Sequence, residues 1–253
     1  MFVLEIGSGL PVVLIHGYPL NHRTWENQFS LSDSFRILAP DLPGFGQSGF
    51  ENALSMEGYS DHIAELLDEK KIEKAVVMGH SMGGYISLAF AARHENRVMG
   101  LGLICSQAGA DTEEARAGRL KNAERVEKEG FDFIIATMSE KLLSPYRNTN
   151  DSALQNKLKL IMKEASAQGV TTALKAMAAR KDQFETLRNL SVPVFITAGT
   201  DDVLIAVEKS VQMAEASKLS TFEVFEGCGH MPMMEKPQEF NLALRKFLKK
   251  ISL

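Results

Sequence analysis

Short apolar runs alternate along this chain with longer stretches in which apolar residues recur every three or four positions. The short runs are 2–6, 11–15, 36–39, 75–78, 100–105, 193–198 and 221–225. Each is too short for a helix and lacks strict alternation, which predicts strands buried on both faces. Between them, residues 56–70 carry Ile63, Leu66 and Leu67 at helical spacing, and 82–93 is apolar nearly all round. A final helix from Pro237 presents Phe240, Leu244, Phe247 and Leu248 on one stripe. Strands separated by helices predict an α/β protein, with a mostly parallel central sheet and helices flanking it.

The rhythm breaks between Gln107 and Arg188. No strand pattern occurs there, only helical runs around 112–129, 131–143, 151–167 and 170–181. This predicts a core over 1–107, an all-helical cap over 108–188 inserted before the last two core strands, and a second core segment over 189–253. Such an insertion belongs over the carboxyl edge of the sheet, where open α/β sheets bind ligands.

The candidate chemistry gathers at the ends of the strands. Gly79-His80-Ser81-Met82-Gly83 lies between a predicted strand and a predicted helix. The motif alone is weak; its position is what singles out Ser81 as a nucleophile. A turn this tight leaves no room for flanking side chains, and it lifts the hydroxyl above a helix N-terminus that favours an oxyanion. A serine hydroxyl needs a base, and the base needs an orienting acid. His230 follows strand 221–225 within Gly227-Cys228-Gly229-His230, and Asp202 follows strand 193–198 within Gly199-Thr200-Asp201-Asp202. The chain order Ser, Asp, His is the one this strand–turn–helix context requires. Asp201 is the adjacent alternative to Asp202, and Asp111 a more distant one. Tyr18, after the first long strand, and Met82, after the nucleophile, are the expected N–H donors of an oxyanion hole. Tyr18, Met82 and Met231 are the expected substrate contacts.

Taken together these segments resemble the α/β-hydrolase superfamily over nearly the whole chain. The resemblance rests on five motifs in order: His16-Gly17-Tyr18-Pro19; Asp41 to Ser48 as D-x-x-G-x-G-x-S; Gly79 to Gly84; Gly199 to Asp202; and Gly229-His230 followed by Glu235-Lys236-Pro237. The overall pattern is similar to small bacterial carboxylesterases and enol-lactonase-like hydrolases. That resemblance implies hydrolysis of a small carboxylic ester through an acyl-enzyme. Lactonase, cofactor-free perhydrolase and carbon–carbon hydrolase activities are alternatives, as is a ligand-sensing protein on the same fold. The chain departs from the family in two places. Only one short strand precedes the oxyanion strand, and no Pro follows Asp202.

Composition narrows the partners. A net charge of −4, from 28 basic and 32 acidic residues, leaves no footprint for nucleic acid or an anionic membrane. The two cysteines, Cys105 and Cys228, argue for a reducing compartment, and the start of the chain lacks a basic signal-peptide region. These features predict a cytoplasmic protein, monomeric or homodimeric, acting on a small molecule. No residue cluster has metal-ligand spacing and no phosphate loop occurs, so neither a metal nor a cofactor is expected. Arg119 and Arg180 in the cap are candidates for binding a carboxylate, but solvated helix faces are the favoured expectation for them and for the other cap charges, and the substrate is expected to be largely apolar.

Overall fold

The computed structural model describes residues 1–50 and 55–251; positions 51–54 and 252–253 of the two predicted core segments lie outside them. Seven strands, β1 (Val3–Ile6), β2 (Leu10–Ile15), β3 (Phe35–Pro40), β4 (Ala75–His80), β5 (Val98–Ile104), β6 (Val194–Gly199) and β7 (Ser220–Phe225), form one sheet in the order β1-β3-β2-β4-β5-β6-β7. All neighbours run parallel except β1, which pairs antiparallel with β3 at the edge. Glu5 on this edge strand is tied by ion pairs to Arg36 and Lys70, and such charges discourage further strand pairing.

The two faces of the sheet explain why its strands read as continuous apolar runs. Val13, Ile15, Val77, Leu101 and Ile196 point into one cluster, with helices α1 (Met56–Glu69) and α2 (Met82–Arg93). The alternate residues Val12, Leu14, Val76, Met78 and Phe195 point into the other. The second cluster includes Phe240, Leu244 and Phe247 of the C-terminal helix (Pro237–Ile251) together with Trp25. A strand covered on both sides needs apolar residues at every position, so the period-2 signal disappears.

Between β5 and β6 the chain is helical throughout, in α3 (Glu113–Glu129), α4 (Asp132–Lys141), α5 (Pro145–Asn150), α6 (Ser152–Lys163), α7 (Ala167–Ala179) and α8 (Phe184–Asn189). The remaining helices are α9 (Val207–Ala216), α10 (Pro232–Glu235) and α11 (Pro237–Ile251). The sequence pattern gave no indication of α5, α8 or α10. α5 has a readable start, since Ser144 caps it and Pro145 occupies its first turn. Helix α8 packs on α2 and α9, so the helices lying over the site end ahead of it. A 3₁₀ stretch at His22–Asp33 also escaped the pattern, because its three-residue period and strongly polar composition match neither template.

The insertion is seated on the core through two glycines. Gly44 adopts φ 88°, and a Cβ at Gly169 on α7 would meet the Gly44 carbonyl carbon at 2.7 Å. Ser166 adds a hydrogen bond from its backbone N–H to the Gly44 carbonyl at 2.9 Å. No helix among the described residues is long and apolar enough to cross a membrane.

Gly169→Ala separates propensity from packing. In an exposed helix this change stabilises by up to about 1 kcal/mol. Here the added methyl meets backbone, and overpacking of that kind costs about 1–3 kcal/mol. Thermal unfolding of the variant is expected to show a lowered Tm; a raised Tm would mean that α7 is not seated on Gly44.

Candidate active site

Parallel strands end at one edge of the sheet, and every candidate residue sits there. Ser81 occupies the turn between β4 and α2 at φ 51°, ψ −113°. A non-glycine residue at positive φ is strained by about 1–3 kcal/mol, and surrounding contacts must hold it. Its backbone N–H donates to the Ile104 carbonyl at 2.8 Å, and its carbonyl accepts from the Ser106 hydroxyl at 2.9 Å. The glycines make the turn possible. A Cβ on Gly79 would strike the backbone of Gly83, one on Gly83 the carbonyls of Ile15 and His16, and one on Gly84 the Ser106 side chain. Although Ser81 stands at the N-cap of α2, its side chain makes no capping hydrogen bond, so the hydroxyl is left for other work.

Asp202 and His230 are brought together. The His230 Nδ1–H donates to Asp202 Oδ2 at 2.7 Å, with both side chains buried. The other Asp202 oxygen accepts from the backbone N–H groups of Leu204 and Ile205 at 2.8 and 3.0 Å. Those bonds fix the carboxylate without help from a proline. Helix α9 starts later, at Val207, so Asp202 orders the turn before the helix and does not cap it. Asp201 is only part-buried, and its carboxylate accepts from the Thr200 hydroxyl, away from His230. Asp111 is not at this pair either; its oxygens accept from Arg180 and Arg119.

His80 connects the elbow to the His230 loop. Burial first, and His230 second, hold its pKa well below the usual imidazole range, so it is neutral. Its Nε2–H donates to the His230 carbonyl at 2.8 Å, and the two rings meet edge-on at 4.7 Å. His16 braces the neighbouring loop. Burial pushes it down to about 4, against the pull of Asp41. The neutral ring accepts from the Leu42 N–H at 3.0 Å through Nε2 and donates to the Gly17 carbonyl at 2.9 Å through Nδ1. Asp41 is buried beneath it. Burial alone would raise its pKa, but hydrogen bonds from His22 and the Gln47 N–H hold it below the usual carboxylate range. Tyr18 lines the same cavity as Ser81, and Met82 follows Ser81 directly at the start of α2.

Glu235 does work that its motif position did not announce. It is buried; Oε1 accepts from the Gly229 N–H at 2.9 Å and Oε2 from the Ser144 N–H at 3.0 Å. The His230 N–H donates to the Leu142 carbonyl at 3.0 Å. The loop that carries His230 is therefore fastened to the segment between α4 and α5.

A cavity of about 400 Å³ opens over Ser81. Tyr18, Tyr85, Leu204 and Ile205 line its core side, and residues of α3, α4 and α7 line the other. The methionines that reach it are Met138 and Met177. Met82 and Met231, expected as substrate contacts, are fully buried and do not line it, because their side chains pack into the two apolar clusters of the core. Among the described residues, Cys105, Asp202 and His230 bring donor atoms within 4.8 Å of one another. The Cys105 thiol is held protonated by burial and by Asp202, and Asp202 is already engaged with His230. That donor set suits a buried hydrogen-bonded pair better than a metal ion.

The family described as alpha/beta hydrolase fold matches residues 11–237. The chain belongs to the α/β-hydrolase family. It is similar to a thermophilic esterase from Thermogutta terrifontis solved with malate bound, at 35% identity and TM-score 0.97, covering 100% of this chain and 94% of that one. It is 27% identical to 3-oxoadipate enol-lactonase 1 of Acinetobacter baylyi, over 95% of this chain and 89% of that protein. It is also 28% identical to 2-hydroxy-6-oxo-2,4-heptadienoate hydrolase of Pseudomonas putida, over 96% and 91% of the two chains.

Replacing Glu235 by Ala leaves buried backbone donors at Gly229 and Ser144 without partners, each costing about 1–3 kcal/mol. A fall in the denaturant midpoint at unchanged m-value is expected, with Glu235→Gln milder. Equal stability of Glu235→Ala and the native protein would show that the carboxylate does not hold the loop.

Proposed function

We propose that the protein is a serine hydrolase that cleaves small carboxylic esters through an acyl-enzyme. The observation that carries this reading is the buried 2.7 Å bond from His230 Nδ1 to Asp202, made by a loop that His80 ties to the strained Ser81 turn. In this scheme Asp202 fixes the His230 tautomer so that Nε2 is the free base. Ser81 Oγ loses its proton to Nε2 and bonds to the carbonyl carbon, and the Tyr18 and Met82 N–H groups receive the negative oxygen. The proton on His230 passes to the departing alcohol. Water, deprotonated by the same nitrogen, then attacks the acyl group, and Ser81 recovers its proton as the acid leaves. Similarity to the Thermogutta terrifontis esterase supports ester cleavage. Lactone opening, the reaction in the name of the Acinetobacter baylyi relative, would use the same steps on a cyclic ester.

Hydrolysis of p-nitrophenyl esters from acetate to decanoate tests the proposal. Short chains are expected to turn over, and Ser81→Ala to lose at least about 10⁴-fold in kcat. Asp202→Asn is expected to fold normally yet lose about 10⁴-fold. The amide oxygen stays on the Leu204 and Ile205 N–H groups, and the NH2, a donor, then faces Nδ1 and favours the wrong tautomer. Turnover that survives in Ser81→Ala would end this reading, as would failure of a fluorophosphonate to label Ser81.

A further inference from the structure

The polarity of the cavity over Ser81 differs from what the sequence suggested. Three cationic residues line it, Arg119 and Arg125 from α3 and Lys141 from α4, and no Asp or Glu does so among the described residues. Their pairing decides how much charge is left over. Asp111 accepts from Arg119 Nε at 2.7 Å with one oxygen and from Arg180 with the other. Arg180 is buried, stacked 4.2 Å from the centre of the Tyr85 ring, and donates to the Gly109 carbonyl. One carboxylate thus stands between two guanidinium groups, and one positive charge remains. Arg119 is the member of the pair that lines the cavity, where one further nitrogen meets only the Met177 sulfur, a weak acceptor. Arg125 is offset by Glu129 at 2.9 Å on the outer surface. The Lys141 ammonium, exposed at the rim, has no partner among the described residues.

A second observation points to the same place. Tyr18 lines the cavity, and its buried hydroxyl has no hydrogen-bond partner among the described residues. Buried hydroxyl groups are rarely left unpaired, so this one can take a partner that enters from the cavity. Burial holds the phenol protonated, although the positive charge of Arg119 pulls the other way. It therefore serves as a donor, next to a guanidinium with donors to spare. An anion with two oxygens matches this pair, since a guanidinium presents parallel N–H groups and the phenol adds a third.

We propose that Arg119 and the Tyr18 hydroxyl, with Lys141 at the rim, form an anion-binding subsite, so that the ester cleaved over Ser81 carries a carboxylate. This inference rests on the proposed ester hydrolysis. The size of the cavity limits the separation, so the carboxylate lies a few bonds from the scissile carbonyl. The substrate class is a short carboxylate-bearing ester, such as a half-ester of a dicarboxylic acid.

The test compares matched pairs in a pH-stat. Monoethyl glutarate against ethyl valerate places the carboxylate on the acyl side, and 3-butanoyloxypropanoate against propyl butanoate places it on the alcohol side. One pair is expected to show an anion preference in kcat/KM of about tenfold or more, the size of one charge-assisted hydrogen bond. That preference is expected to shrink with added salt. In Arg119→Gln it should fall about tenfold, through KM rather than kcat, because the group lies away from the breaking bond. Arg119→Lys should fall between the two. Lys141→Gln, whose side chain holds nothing in the fold, should reduce the preference while leaving Tm unchanged. Cleavage of the neutral esters with no anion preference in either pair would overturn the subsite and leave the hydrolase standing. No cleavage of any of the four, with Ser81 unlabelled by fluorophosphonate, would instead remove the hydrolase reading and this inference with it.

Discussion

The positive φ of Ser81 is the constraint around which the site is arranged. A strand running straight into a helix would bury the residue at their junction; the strained turn stands it at the sheet edge, at the N-terminus of α2. That geometry is permitted only because residues 79, 83 and 84 lack side chains, as each would collide with backbone or with Ser106. Bonds to Ile104 and from Ser106 then hold the turn from the β5 side. The register of β4 on β5, with His80 level with Ile104, sets the two strand ends side by side so that these bonds can form. Strain at one residue is thus offset by two strands, and the position of the hydroxyl follows from the sheet.

The buried polar groups around this turn act chiefly as joints. His80 and His16 are kept neutral by burial, and each joins two loops by hydrogen bonds to backbone atoms. Glu235 and the His230 N–H fasten the His230 loop to residues 142–144. Because the insertion is bonded directly to the His230 loop, any displacement of α4 and α5 bears on the Asp202–His230 pair. A buried donor with no alternative partner makes such bonds costly to break.

The insertion also decides the electrostatics above Ser81. Its helices supply apolar contacts such as Leu174 and Met177, and the charge borne by Arg119 and Lys141. The Arg180–Asp111 pair, stacked on Tyr85, holds the start of this segment against the core and leaves Arg119 with charge to spare.

The strands, the long helices and the elbow were legible in the sequence because each is set by neighbours along the chain. Apolar runs without alternation follow from burial on two faces, and Gly79, Gly83 and Gly84 from a turn that excludes Cβ atoms. The chain order of Ser81, Asp202 and His230 was legible for a similar reason, since each lies just past the end of a strand. What the sequence left open depended on groups far apart in the chain. Asp201 and Asp202 are adjacent and chemically alike; only the packing of β6 beside β7 turns one toward His230 and the other toward Thr200. Met82 and Met231 looked like substrate contacts by proximity, but the direction of each side chain, fixed by its own backbone, takes it into the core. Arg119 looked solvated because α3 is strongly polar, and Arg180, just past the end of α7, because it is one more charge of the insertion; the folding of α3 against α7 and the loop after β5 brought both onto Asp111. Local steric rules fix where the chain can turn, whereas the surroundings of a side chain depend on segments that meet only once the whole molecule has packed.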